Sequence, residues 1–578
     1  MINPFQHNYF IGYVNQVLPQ YVKVHFPSST LLKSFTFKGE NLHGGLVGNY
    51  VVVEGDQFGF IGKILELSLP ENERLELSER SFNDKDFHPA GKVEILLSFN
   101  LFEPSKVDKG ISSSPVIGAK VFVCPSEFLK TYFKNFGVKK DNISNSPVFE
   151  LGSLTYDKSA ILEISQQALF GRHCAIVGTT GGGKSYTTSK LIEGIVSNGS
   201  KVILIDATGE YSKHDPLSYS FKPAILSSNS FFHYSNLTIG DLFVLLRPSG
   251  QVQQPLLLEA IQTLKLLSIL EREGITLEGV SDGVFKKQGN LKKPYFDLYN
   301  EFSQEIESDK ADFDIQKLTK QLRRECVHSS AEYGKDLTKW GDLDKRKYEN
   351  STSLFLRTET LIQSPIFKEI FGFTKQRLDT GELVQIINKF LSSENKLLRI
   401  SFDSVGFDFQ AREILANAIG KNLLKKAREG NFKKDPLVLF IDEAHQFMNK
   451  AVKDEYFELT QLSSFDSIAK ESRKQGLFLA ISTQMPRDIP IGTLSQMGTF
   501  IVHRLINHFD KEAIANASSS ANKSTLDFLP ILGAGEAILM GVDFPMPVML
   551  KIQLPITKPD SETPLFTMGV KKETNEEE

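Results

Sequence analysis

The chain has 578 residues, 40% of them hydrophobic and 24% charged, with a formal net charge of −4. That length exceeds a single ordinary core and leads us to expect about two to four domains. The near-neutral balance excludes a protein that coats nucleic acid with its whole surface, but not one that grips it in a narrow basic channel.

The first ~130 residues read as short β segments ("NYVVVEGD", "FGFIGKILEL", "KVEILLSF", "AKVFVCP") broken by Gly, Asn, Asp and Pro, a pattern of a small barrel or sandwich. A connector, "DNISNSPVFELGSLTYDKSAILEISQQALFGR", leads on to the most informative stretch, "HCAIVGTTGGGKSYTTSKLI", His173 to Ile192. A short apolar run, eight residues GTTGGGKS and a helix-forming segment are the order of a phosphate-binding loop. Glycines let backbone N–H groups turn toward an anion without Cβ clashes, and the helix start adds positive potential. Gly178, Thr179, Thr180, Gly181, Gly182, Gly183, Lys184, Ser185 and Tyr186 are the candidate nucleotide contacts. Lys184 would neutralise the β- and γ-phosphates of ATP, and the Ser185 hydroxyl would ligate magnesium.

Apolar runs then place core strands at Ala175–Val177, Val202–Asp206, Leu398–Phe402, Leu437–Asp442, Phe478–Ser482 and Thr499–Val502, the framework of a mostly parallel α/β sheet. The interval from Asp206 to Leu398 exceeds one crossover, and its three- and four-residue apolar spacing predicts an inserted helical subdomain. Its charge-rich pieces "LRRE" and "DLDKRKYEN" read as solvated helix faces. A helix over His508–Ala517, two β segments and a polar, acidic tail complete the chain. The expected divisions are 1–135 barrel, 136–250 core, 251–390 insert, 391–560 core again, and 561–578 tail.

No apolar run approaches ~18 residues and the start lacks a secretion-signal layout. Three cysteines (Cys124, Cys174, Cys326) show no pairing or metal-ligand spacing. A cytoplasmic protein without membrane contact is therefore expected.

"PLVLFIDEAHQF" ends an apolar strand in two adjacent acids. Asp442 would sit beside the magnesium ion and Glu443 would position or activate the attacking water. His445 completes the spelling DEAH and is assigned no catalytic role. "VILIDATGEYS" places Asp206 at another strand tip with Glu210 behind it, both read as part of the nucleotide site. "FLAISTQMPRD" presents Gln484 where a side-chain amide can sense phosphate.

The ordered set "RHCAIVGTTGGGKS", "IDATGEY", "LFIDEAHQF", "IAKESRKQG", "STQMP" and "LGAGEAILMG…PVMLKIQLPI" resembles the HerA family of hexameric DNA-translocating ATPases, relatives of the FtsK and conjugative-coupling motors. The resemblance implies an α/β, RecA-like P-loop core with an N-terminal small β-barrel and an inserted helical subdomain. It departs at Met485, where the family commonly has Arg, and at Ala207-Thr208, where Pro-His is usual. It also implies an arginine reaching a neighbouring subunit's phosphate, with Arg473 the first candidate and Arg172 the second. Function is then expected to be ATP-driven translocation on double-stranded DNA by a homo-oligomeric ring, with a partner nuclease or anti-phage effector enzyme. The alternatives are a nucleotide-gated ring scaffold for a partner effector and, ranked below it, a protein-remodelling ATPase. The basic stretch "KNLLKKAREGNFKK" (Lys421, Lys425, Lys426, Arg428, Lys433, Lys434) reads either as pore lining or as the solvent face of its helix.

Overall fold

The computed structural model describes residues 3–74, 86–102, 107–108, 113–135, 146–331, 334–373, 380–448, 462–518, 520–521 and 523–561. The expected acidic tail, beyond its first residue, lies outside the described residues.

Six strands form the N-terminal barrel: β1 (Phe10–Val17), β2 (Tyr21–His25), β3 (Tyr50–Val53), β4 (Phe58–Ser68), β5 (Ala90–Asn100) and β6 (Lys120–Val123). Their antiparallel order is β2-β1-β6-β3-β4-β5, and the β5–β2 pairing closes the ring. Closure removes free strand edges. Strand alternation then sends each strand's two faces to different cores. Val51 and Val53 fill the barrel, whereas Tyr50 and Val52 point out into a second cluster with Phe128, Leu151, Met546 and Val548. That cluster includes the helix α1 (Ser126–Asn135) and joins barrel to ATPase core. Polar contacts reinforce the seam: Tyr50 donates to the Pro547 carbonyl at 2.9 Å, and Lys63 Nζ lies 3.8 Å from the Phe528 ring centroid.

The central sheet has eleven strands. In chain order they are β7 (Val148–Leu154), β8 (Ile161–Ser165), β9 (Cys174–Val177), β10 (Lys201–Asp206), β11 (Ala224–Ile225), β12 (Leu397–Ser401), β13 (Leu437–Ile441), β14 (Leu477–Thr483), β15 (Thr499–Val502), β16 (Glu536–Gly541) and β17 (Val548–Ile552). Their spatial order is β8-β7-β17-β16-β15-β9-β14-β13-β10-β12-β11. From β15 to β11 every pairing is parallel; from β15 back to β8 every pairing is antiparallel. Of the parallel members, β9, β12, β13 and β15 are buried throughout, as strands covered on both faces must be. All six expected core strands are present. The connector is more than a connector: it supplies β7 and β8 to the sheet, with Gly152 of β7 paired to Ile552 of β17. Those strands mix buried and half-buried residues, which hides them from a search for continuous apolar runs.

Helix α2 (Lys184–Ser197) follows the phosphate loop and buries Leu191, Ile192 and Ile195 against the sheet. In the insert, α3 (Gly250–Glu273) spans two cores. Leu256, Leu257, Ile261 and Leu264 face the main core, and Leu266, Ile269 and Leu270 face a small cluster around Tyr295 and Trp340. Helices α4 (Leu318–Arg324) and α5 (Thr352–Gln363) complete the insert's packing. "LRRE" is only partly a solvated face: Arg323 and Arg324 are exposed, but Glu325 is buried. It accepts from Thr263 Oγ1 (2.8 Å) and Gln321 Nε2 (2.7 Å), and Lys287 Nζ lies 2.5 Å away. Beyond the insert come α6 (Ala411–Arg428) and α7 (Ser464–Glu471), which pack against each other, and the helix expected over His508–Ala517 is present. Among the described residues no helix is long and apolar enough to cross a membrane.

Gly476 enters β14 at φ +82, and a Cβ there would collide with the Phe432 carbonyl, whereas Gly118 has φ +86 and open space. Gly118→Ala should therefore cost only about 1–2 kcal/mol from backbone strain, and Gly476→Ala measurably more. Parallel thermal unfolding of the two variants checks this; equal losses would contradict it.

Candidate functional site: a phosphate loop facing buried carboxylates

The site forms where β9, β10, β13 and β14 end at their C-terminal edge. Beyond Val177 the chain turns through the glycines, with Gly181 at φ +74 and Gly183 at φ +113. Gly178 must be small, because a Cβ there would lie 2.5 Å from the Cβ of His503. His503 is buried; its Nδ1 donates to the Glu536 carbonyl (2.9 Å) and its Nε2 accepts from Thr187 Oγ1 (2.8 Å). Burial pulls its pKa down to about 4, so it stays neutral. The Gly535 amide donates to Gly182 O at 3.0 Å, bracing the loop from behind. Lys184 is buried beneath the loop, with Nζ 3.4 Å from the Thr179 carbonyl. Ser185 and Tyr186 sit half-buried in the first turn of α2.

Opposite the loop stand the acids. Asp442 is buried, and Tyr211 donates to its Oδ1 at 3.3 Å. Burial, then Glu443, Asp206 and Glu210, push its carboxyl well above the ordinary carboxylate range. Glu443 is held at φ 45, ψ 48, a left-handed conformation that strains a non-glycine residue and is a feature of functional sites. Burial raises its carboxyl too, against the opposing effect of Lys184. Gln484 meets the loop directly, its Oε1 accepting from Thr180 Oγ1 at 2.6 Å. The structure thus brings Lys184, Asp442, Glu443, Gln484 and the loop together.

Asp206 stands at the tip of β10, as the sequence suggests, but its carboxylate is already engaged. Both its oxygens are engaged, Oδ1 by the Gly209 amide (2.8 Å), Oδ2 by the Tyr211 amide (3.3 Å) and the buried Arg399 guanidinium (3.0 Å). It shapes the loop that carries Glu210 instead of offering a free ligand. Glu210 Oε2, by contrast, is buried with no hydrogen-bond partner among the described residues.

Residues that carry no motif complete the site. Arg412, at the start of α6, donates to the carbonyls of Ala207 (3.2 Å), Phe402 (2.9 Å) and Val405 (2.6 Å) and to Gln446 Oε1 (2.7 Å). It fastens the turn after Glu443 to the loop after Asp206. His445 does have a place in the site: its Nδ1 lies 3.2 Å from Glu443 Oε2 and 3.2 Å from Thr483 Oγ1. The DEAH spelling was its only signal; Arg412, Arg399 and His503 have none, since their partners are distant in sequence.

Magnesium fits this arrangement. Glu443, Asp206 and Glu210 all raise the Asp442 carboxyl, and Glu210 Oε2 lacks a partner among the described residues, so the pocket is short of positive charge. Among the described residues no three His, Cys, Asp or Glu side chains form a metal cage. That suits an ion held by one or two protein groups plus substrate phosphates.

Arg172 and Arg473 stand at the other edge of the sheet, before β9 and β14. A strand rises about 3.3 Å per residue, which sets both on the order of 20 Å from the loop of their own subunit. They line one cavity of about 580 Å³ with Lys474 and Gln496. Arg172 is engaged by Asp543, with Nε 3.0 Å from Oδ2. Arg473 is exposed and its side chain has no partner among the described residues. Neutral His173 fixes the flanking backbone: its Nε2 donates to the Ala469 carbonyl (3.1 Å), and Nδ1 accepts from the Leu479 amide (2.9 Å).

The raised Asp442 carboxyl makes a signed prediction. The folded state binds a proton that the unfolded state, with an ordinary pKa of about 3.9, has lost. Stability therefore falls as pH rises above that value toward the folded pKa. Asp442→Asn should raise the melting temperature of the nucleotide-free protein at pH 8, and the gain should shrink near pH 4.5 while ATP turnover is lost. A pH-independent gain, or a loss at pH 8, would contradict the account.

Residues 149–423 match the central domain of the helicase HerA, and residues 422–572 match the HerA-like helicase C-terminal domain. The protein named "Probable helicase MJECL08" of Methanocaldococcus jannaschii is 25% identical over 450 residues, covering 73% of this chain and 74% of its own. The DNA double-strand break repair helicase HerA of Sulfolobus acidocaldarius is 23% identical over 546 residues, covering 92% and 93%. The bacterial conjugative coupling protein TrwB superposes with a TM-score of 0.42 at 12% identity, over 74% of this chain and 93% of that one. With two domain models of one family spanning most of its length, the chain belongs to the HerA helicase family of P-loop ATPases.

Proposed function

We propose that the chain is an ATP-driven motor that moves along double-stranded DNA as a homo-oligomeric ring, a hexamer, with each ATP site completed by the adjoining subunit. One observation carries this reading: the parallel strands of a single sheet bear the phosphate loop and carboxylates at one end and the unpaired Arg473 at the other. An exposed arginine out of reach of its own loop is available to a neighbour's, and in that role it would make turnover depend on assembly.

Within one site, Lys184 draws the β- and γ-phosphates of ATP toward the loop amides. Ser185 and Asp442 would hold magnesium, whose charge on the phosphates offsets the carboxylate crowding. Glu443 orients the attacking water and takes its proton. Gln484, bonded to Thr180, registers loss of the γ-phosphate at the end of β14. Arg473 of one subunit stabilises charge developing on the phosphate bound by the next. The DNA assignment is supported by the name of the Sulfolobus acidocaldarius relative, a DNA double-strand break repair helicase. A partner nuclease, or an effector enzyme in anti-phage defence, acting in the cytoplasm alongside the ring completes the reading.

Turnover measured with and without linear duplex at low salt tests the proposal. Duplex should bind the assembled protein and stimulate ATP hydrolysis, and Glu443→Gln should retain ATP while losing about 10²-fold or more of turnover. If duplex neither binds nor changes turnover, the motor reading falls and a nucleotide-gated scaffold takes its place.

A further inference from the structure

The basic stretch after Gly420 divides in the folded chain. Lys421 Nζ lies 3.0 Å from Asp241 Oδ1 and donates to Thr238 Oγ1 (2.8 Å), and Arg428 Nη2 lies 2.5 Å from Glu471 Oε1. These two side chains hold α6 to its neighbours. Lys426 and Lys434 instead converge with Lys201 and Lys396 on a cavity of about 860 Å³. Its floor is the turn after α2 and the first residues of β10 and β13, at the sheet edge away from the phosphate loop.

Lys201 is anchored there, donating to the carbonyls of Phe390 (2.9 Å), Leu391 (2.7 Å) and Ser393 (2.6 Å). Burial, and then Lys396, hold its ammonium below the ordinary lysine range, although Glu394 and Asp435 act the other way. Lys396 and Lys426 are half-buried and Lys434 is exposed, and none of the three has an ion-pair partner among the described residues. Four ammonium groups thus face two carboxylates, Glu394 and Asp435, around one trough.

Cations gathered in excess of their counter-charges repel one another and are stabilised by an anion of matching extent. The trough is far larger than a single ion, because a water molecule takes about 30 Å³. Lysine ammoniums are point charges on flexible stems, suited to phosphate oxygens and carrying no base-specific geometry. We infer that this lysine-lined trough seats the phosphodiester backbone of DNA, independently of sequence. The inference rests on the motor reading above and adds the surface on which DNA lies. The strands beneath it are those that end at the acids: β10 runs from Lys201 to Asp206, and β13 leads from Leu437 to Asp442. Backbone bound here would sit on the same rigid elements that carry the hydrolytic site.

The test is titration of a fluorescent duplex into the assembled parent protein and the Lys396→Gln/Lys426→Gln/Lys434→Gln variant, from about 50 to 200 mM salt. The triple variant should bind at least about tenfold more weakly, and removing each lysine–phosphate pairing should flatten the slope of log affinity against log salt by about 0.9. Basal turnover without DNA should stay at the parental rate, and Lys425→Gln/Lys433→Gln, exposed side chains outside the trough, should bind like the parent. Parental affinity and slope in the triple variant, with the parent binding duplex, overturn the trough and leave the motor reading standing. Loss of basal turnover along with binding marks the lysines as structural and equally overturns it. A parent that does not bind duplex overturns both.

Discussion

The structure is organised around the burial of negative charge. Asp206 and Asp442 end neighbouring strands inside the fold, with Glu210 and Glu443 beside them. Carboxylates so placed destabilise the folded state unless they are paired, hydrogen-bonded or protonated. Arg399 compensates Asp206, Lys184 partly compensates Glu443, and Asp442 stays crowded. The crowding makes the site receptive to magnesium and nucleotide. Binding that relieves it also stabilises the fold, so occupancy and stability are linked.

The neutral histidines serve this arrangement. His503 fixes the phosphate loop from beneath, and His173 fixes the backbone around Arg473 at the opposite sheet edge. Each occupies a place where a charge would compete with the groups it supports, and burial brings the pKa of each to about 4. His445 bridges Glu443 and the end of β14, where Thr483 and Gln484 stand. Glu443, Gln484 and the loop thus form one connected unit. The parallel sheet separates that unit from the basic edge, where Arg473 and the lysine trough lie. Acidic and basic edges on one rigid sheet give head-to-tail contacts between copies a favourable electrostatic sense.

How much of this was legible in the sequence depends on how local each signal is. The phosphate loop, the DEAH strand end and the parallel strands are written in contiguous residues. Val438, Leu439 and Phe440 need no partner to be read as buried. Strands β7 and β8 were hidden because they lie toward the antiparallel side and mix buried with exposed positions. The roles of Asp206 and Arg399 emerge only when β10 and β12, far apart along the chain, pair across the insert. The lysines of α6 look alike in sequence, and only Asp241 and Glu471, distant along the chain, separate the structural cations from those facing the trough. Arg172, the second candidate in the sequence, is occupied by Asp543, a partner far along the chain.

The central claim is that each ATP site is shared between subunits, and one mixing experiment tests it most directly. Lys184→Ala subunits lack the phosphate lysine but keep Arg473; Arg473→Ala subunits have the reverse. Each alone should be inactive. Mixed assemblies, with co-assembly shown by differential tags, should regain turnover at junctions where an intact Lys184 meets an intact Arg473. Inactivity at every mixing ratio despite demonstrated co-assembly would contradict a site completed by Arg473 of the neighbouring subunit.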